Sequence, residues 1–164
     1  MSMAKRLLLI LLVLVSCVAC DQSTKIYAEA SLPKAQALSL LSDTVRLQVA
    51  HNEGAFLSLG ASAPKPWRLA ALRMGVSAML LALLLYMLFA RAGQGLFVFA
   101  LAFVFAGGFS NLIDRFAHEG YVVDFINLGV GSFRTGIFNV ADIAITAGAI
   151  LLVVQAWRGQ QDRA

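Results

Sequence analysis

Four aspartates draw attention because each lies inside, or at the edge of, a long apolar stretch: Asp21, Asp114, Asp124 and Asp142. An ionisable group at the centre of a membrane-spanning helix costs about 2.5–3.5 kcal/mol on insertion scales, so such positions are the first to read for chemistry. Asp142 falls about one turn into the apolar run that starts at Phe138. Asp114 and Arg115 close another run, and Asp124 is flanked on both sides by apolar residues in Tyr121-Val122-Val123-Asp124-Phe125-Ile126. Helical spacing groups their neighbours. Asn139 and Asp142 are three apart and share a face, as do Asn111, Asp114 and Arg115. Asp21 and Lys25 are four apart with the acid first, the favourable order for an intrahelical pair. Gly107 and Gly108 lie one turn before Asn111, where small residues allow another helix to approach closely.

Two carboxylates within hydrogen-bond reach cannot both ionise cheaply, so they share a proton. The ionised partner can take a proton from an attacking water while the protonated one hydrogen-bonds the developing oxyanion. This is aspartic-protease chemistry, in which the pair titrates jointly. Other hydrolytic schemes are poorly supplied. The chain has no H-E-x-x-H, His51 and His118 lack metal-ligand spacing, and no G-x-S-x-G is present. No metal or other cofactor is expected. A lone aspartate in a span serves equally well as a helix–helix hydrogen bond or an ion-pair member. Asp114 beside Arg115, and Asp21 with Lys25, read as such structural pairs. Asp124 and Asp142 have no adjacent cation and are freer for chemistry.

The elements that must position these groups are membrane helices. The chain has 164 residues, 60% hydrophobic and 13% charged, and a mean hydropathy of +0.79. Soluble domains hold about 45–50% apolar and about 25% charged residues. The net charge of +4 comes from scattered Lys and Arg flanking apolar runs, which argues against a nucleic-acid partner. Four spans are expected at about 4–22, 69–89, 96–113 and 138–157 in a single integral membrane domain, with loops at about 23–68 and 114–137. Arg73, near the start of the second run, is expected to snorkel to the interface. The first run resembles a signal peptide, and Leu14-Val15-Ser16-Cys17 resembles a lipobox. The three later returns to the membrane favour an uncleaved first span. Cys17 and Cys20 inside that run read as inert packing thiols.

Lys5, Arg6, Arg91, Arg158 and Arg163 crowd into short segments, which predicts cytoplasmic N- and C-termini. The two longer loops then face outward, and they or their edges carry every acidic residue except Asp162. In the first loop Val45, Leu47 and Val49 alternate with Thr44, Arg46 and Gln48, a strand pattern. Ala55–Leu59 is expected to return as a second strand or dip to the bilayer surface. Residues 28–41 are expected to hold a short interfacial helix interrupted by Pro33. The predicted fold is therefore membrane all-α, a four-helix bundle with a small β-rich cap and a short interfacial helix on the outer face.

Five segments in order resemble the motif set of lipoprotein signal peptidase, also called signal peptidase II or prolipoprotein signal peptidase, the aspartyl peptidase family A8. They are Asp21-Gln22-Ser23-Thr24-Lys25, His51-Asn52-Glu53-Gly54-Ala55-Phe56, Gly107 to Arg115, Val122-Val123-Asp124-Phe125 and Phe138-Asn139-Val140-Ala141-Asp142. Each is weak alone. Together they cover nearly the whole chain and are specific. The resemblance implies an enzyme of the bacterial inner membrane; a monomer is expected. Its substrates would be prolipoproteins, cut just before a cysteine that already carries diacylglyceryl. It implies Asp124 and Asp142 as the catalytic pair. Asn52, Asn111, Arg115 and Asn139 would position substrate or hold the aspartates, and Asp21, Lys25, Gly54, Gly108 and Asp114 would have structural or substrate-contacting roles. Ser110, Phe109 and Phe56-Leu57 depart from the usual pattern. Two readings of other classes stand beside it: a proton-coupled carrier, which also uses intramembrane carboxylates, and a membrane scaffold. The carrier fits poorly with acids gathered at one face, and the scaffold leaves five ordered polar motifs unexplained.

Overall fold

A computed structural model describes residues 1–33, 36–54, 62, 64–89 and 95–161. The expectations for residues 55–59 and for the charged positions 91, 162 and 163 fall outside the described residues. Among the described residues, four helices are long and apolar enough to cross a membrane. Helix α1 (Met3–Ser31) is the first. The second is continuous from Lys65 to Phe89. It comprises α2 (Lys65–Ala70), a π-helical turn (Ala71–Gly75) and α3 (Val76–Phe89). Helices α4 (Gly95–Ala117) and α5 (Val140–Gln161) complete the set. A helix lies over each expected span, and α1 and α4 run past their apolar stretches.

Helix α1 has 29 residues. At 1.5 Å per residue it is about 43 Å long, against a hydrocarbon core of about 30 Å, so its last turns project beyond the apolar layer. The Ser23 and Thr24 hydroxyls bond back to the Ala19 and Cys20 carbonyls at 2.6 and 2.8 Å, which lets polar residues continue the helix. It stops at Leu32, extended at φ −79°, ψ 142°, as the residue before a proline must be. Among the described residues, the short separate helix expected over residues 28–41 is not formed. Ala28–Ser31 is the last turn of α1, and Leu38–Leu40 is strand β1.

Strands β1 (Leu38–Leu40), β2 (Val45–Asn52), β3 (Val122–Val130) and β4 (Phe133–Arg134) form an antiparallel sheet in sequence order. Both long loops thus contribute to one cap. The second loop's share was not expected, because β3 is covered on both faces. Val122, Val123, Asp124 and Phe125 are all buried, so the strand shows no alternation to read. Between β1 and β2 the chain turns through Leu41, Ser42 and Asp43, all at positive φ. The Asp43 carboxylate clamps that turn by accepting from Arg46 and Ser39. The arginine beside it holds the Asp43 carboxyl well below the usual range.

Helix α4 is the hub. Half of its apolar window is buried, against less than a fifth in each other span, and α1, α3 and α5 all pack on it. A Cβ on Gly107 would strike the Ala141 carbonyl, and one on Gly148 would stand 2.6 Å from the Ala100 carbonyl, so α4 and α5 meet backbone to backbone. At the opposite end of the bundle from the sheet, the buried Arg6 donates to the Met87 and Leu88 carbonyls, closing the end of α3.

A candidate active site between the bundle and the sheet

Polar side chains from α1, α4, α5, β2 and β3 converge where the sheet sits on the bundle. Asn139 precedes the first residue of α5 and caps it. Its Oδ1 accepts from the Asp142 amide at 2.9 Å, and its own amide donates to Asp142 Oδ2 at 3.2 Å. This reciprocal pair is a capping box with aspartate at the third helical position. The box turns the Asn139 side chain toward β3, where Nδ2 donates to Asp124 Oδ1 at 2.6 Å and to Asn111 Oδ1 at 3.1 Å. Asn111 in turn donates to Asp142 Oδ1 at 3.0 Å. Asn52, at the end of β2, donates to Asp124 Oδ2 at 3.0 Å. Register places it there, since Asn52 pairs with Val122 and Ala50 with Asp124. Asp124 and Asp142 are therefore bridged by Asn139 and Asn111, and each accepts from amides only. Among the described residues, no ion pair reaches either carboxylate.

The carboxyl of Asp124 is raised to about 6. Burial is the main cause and the Asp142 charge adds to it, against the opposing hydrogen bonds from Asn52 and Asn139 and the Lys25 charge. Asp124 is 2% exposed, so little water reaches it to solvate a charge.

A second carboxylate pair stands directly behind the first. Lys25 Nζ lies 2.7 Å from Asp21 Oδ2 and 2.8 Å from Asp114 Oδ2, and it donates to Asn111 Oδ1 at 3.0 Å. The expected Asp21–Lys25 pair is formed. The expected Asp114–Arg115 pair is not, because adjacent residues on a helix point about 100° apart. Asp114 turns to Lys25, whereas Arg115 donates to the Gly54 carbonyl at 2.7 Å and the Asn111 carbonyl at 3.2 Å. Both carboxylates of the rear pair also hold backbone. Asp21 Oδ1 accepts from the Ala141 amide at 2.8 Å, and Asp114 Oδ2 from the Val123 amide at 3.1 Å. Those two amides immediately precede Asp142 and Asp124.

Gly54 belongs to the site through its backbone: its amide donates to Asn52 Oδ1 and its carbonyl accepts from Arg115. Gly108 does not. A Cβ there would face Leu80 of α3, and Gly107 makes the close approach to α5. Two contributors, Ser110 and Gln22, have no site role in the sequence reading. Ser110 donates to Asp21 at 2.7 Å, and Gln22 donates to Asp114 at 2.7 Å and to Ser110 at 3.1 Å. Their helical spacing from Asp114 and Lys25 was the available signal. Both histidines stack on Tyr121, at 4.1 Å for His51 and 4.9 Å for His118. Cys17 and Cys20 are free thiols. Beside Asp142 an apolar groove of about 510 Å³ runs down α5 to Ile150, with Leu128 and Thr135 of the cap at its upper end.

The family model described as signal peptidase (SPase) II matches residues 13–158. A lipoprotein signal peptidase of Cupriavidus taiwanensis is 37% identical over 114 residues, which is 68% of this chain and 62% of that protein. One from Paraburkholderia phytofirmans is 37% identical over 138 residues, 84% of this chain and 78% of that protein. The matched region thus spans less than two thirds of the Cupriavidus relative. Two solved structures described as bacterial membrane enzymes share the fold. One has a TM-score of 0.80 at 24% identity, covering 94% of this chain and 91% of its own. The other has 0.76 at 25%, covering 90% and 91%.

Proposed function

This chain belongs to the signal peptidase II family, and from that premise we propose that it is an aspartic endopeptidase removing signal peptides from diacylglyceryl-modified prolipoproteins. The observation that carries the reading is the bridge of Asn139 and Asn111 between the Asp124 and Asp142 carboxylates. Amide donors orient both groups without cancelling their charge. The pair then lowers its energy by keeping one proton. A water held between them is deprotonated by the ionised carboxylate as it attacks the peptide carbonyl. The protonated partner donates to the oxyanion and then passes its proton to the leaving amine.

Cleavage would fall just before the lipidated cysteine. The groove beside Asp142 is lined almost wholly by apolar groups, including Phe138, Ile143, Ala147 and Ile150. It suits the hydrocarbon of a lipid-modified residue arriving sideways from the bilayer. Asp142 lies in the first turn of α5, so the reacting carbonyl would sit about one turn inside that helix end. The chain would work as one monomeric unit of the bacterial inner membrane, in contact with its lipids, with both termini in the cytoplasm and the sheet outside.

The test is cleavage of a diacylglyceryl-modified prolipoprotein and its unmodified form by the purified protein in lipid. Cutting confined to the modified substrate, and lost in both Asp124→Asn and Asp142→Asn, is the expected result. Equal cutting of both substrates would contradict the assignment, and full activity in either variant would remove that residue from the pair.

A further inference from the structure

The second span is not a uniform helix. At Ala71–Gly75 it widens into a π-helical turn, a feature that re-aims the side chains it carries and often marks a functional position. Arg73 sits in that turn. It does not simply extend to the interface as a snorkelling side chain would. Its Nε donates to the Arg115 carbonyl at 2.8 Å and its Nη2 to the His118 carbonyl at 3.4 Å. Its guanidinium stands 5.5 Å from the Phe116 ring centroid. A cation on the last carbonyls of a helix satisfies acceptors that have no intrahelical partner and opposes the negative end of the helix.

From that helix end a short chain of bonds leads to the site. Arg115, whose carbonyl Arg73 holds, donates its Nη2 to the Gly54 carbonyl at 2.7 Å. The Gly54 amide fixes Asn52 Oδ1 at 3.0 Å, which leaves Asn52 Nδ2 aimed at Asp124 Oδ2 at 3.0 Å. The same segment braces both loops elsewhere. Arg68 pairs with Glu53, between Asn52 and Gly54. Leu69 fills the space beside Gly120, whose φ of +103° and lack of a Cβ permit the contact.

We propose that Arg73 is a positioning residue of this site, holding the end of α4 so that Arg115 and Gly54 keep the Asn52 amide on the Asp124 carboxylate. The inference rests on the peptidase reading above. It assigns the second span, which contributes no side chain to the carboxylate network, the task of aligning one of the donors.

The groups facing Asp124 are Asn52 from β2, Asn139 and Asp142 at the start of α5, Lys25 of α1 and Arg115 of α4. Asn52 favours the charged form, so loosening it moves the Asp124 titration upward. Arg73→Gln in the full chain, reconstituted in lipid, should lower kcat about tenfold with KM little changed. The alkaline limb of kcat/KM should rise by about half a pH unit. Arg73→Lys should recover part of both. Arg73→Gln combined with Asn52→Ala should be no worse than Asn52→Ala alone, since both act on one bond. Glu119→Gln, which breaks only the exposed pair with Lys65, should match the wild type. An unmoved pH profile in Arg73→Gln, or additive losses in the double variant, would overturn the proposal. If Arg73→Gln does not fold, the lysine variant carries the same pH comparison. A wild type that cleaves nothing would instead refute the peptidase reading. The positioning claim would then be decided by an infrared titration of the Asp124 carboxyl in wild type and variant, an unchanged midpoint overturning it.

Discussion

Two carboxylate pairs lie back to back in this protein, and their donors differ in kind. Asp21 and Asp114 each accept three donors, one of them the shared Lys25 ammonium. Asp124 and Asp142 each accept two, all from asparagine side chains or backbone. The Lys25 ammonium ties the two rear carboxylates together and makes them part of the frame. Neutral amides orient the front pair, and those on Asp124 only partly oppose the burial that favours its protonated form. The frame also acts on the front pair, because its oxygens hold the amides of Val123 and Ala141, each next to a front-pair aspartate. Similar residues at similar depth thus differ in whether a lysine stands between them, which on the proposed peptidase reading separates scaffold from chemistry.

The largest effect should come from converting either front carboxylate to an amide. Asp124→Asn and Asp142→Asn should each lower the cleavage rate by about 10³-fold or more, as loss of a member of a catalytic unit does, measured as kcat on lipidated substrate. Folding should survive. The Asp124 carboxyl, at about 6 in the folded protein, lies above its unfolded value near 3.9. The folded state therefore binds more protons between those values, and stability falls as pH rises through that window. Asp124→Asn removes the fall. At neutral pH it should unfold later than wild type, by on the order of 2 kcal/mol.

Lys25→Met should do the opposite to the rear pair. It leaves two buried carboxylates uncompensated and should cost about 3–5 kcal/mol, read as a lowered thermal unfolding midpoint. Adding Asp21→Asn and Asp114→Asn should restore much of that loss, because the charge is then gone. No such rescue would mean that the lysine does more than neutralise. Gly107→Ala should cost about 1–3 kcal/mol by forcing α4 off the Ala141 carbonyl. Gly108→Ala meets only the tip of Leu80 and should cost less, so the two unfolding midpoints rank the glycines. Ser110→Ala is the mildest change. It removes one of three donors to Asp21 and should cost about 1 kcal/mol with activity largely kept.

The spans were legible because apolar runs of that length have few other solutions in a short chain. Asp21–Lys25 and Asn139–Asp142 were legible because both lie within single helices, where spacing dictates contact. Asp114 was assigned to the wrong cation because its partner lies on another helix, and helical spacing says nothing of neighbouring helices. The second loop's strand was hidden by burial on both faces, which erased the alternation that disclosed β2. Gly107 and Gly108 looked alike in sequence, and only the packing of α4 between α3 and α5 separates them. The redirection of Arg73 depends on a π-helical turn, for which Ala71-Leu72-Arg73-Met74-Gly75 carries no compositional sign.

The contrast between the two pairs is tested most directly by following carboxyl protonation by infrared spectroscopy on the protein in lipid. One protonated carboxyl should persist into mildly acidic solution and titrate near pH 6. It should vanish in Asp124→Asn and move to lower pH in Asp142→Asn, while Asp21→Asn and Asp114→Asn leave a comparable titration in place. A wild-type protein in which no carboxyl titrates above the ordinary aspartate range, or one whose titrating group survives in Asp124→Asn, would contradict the account.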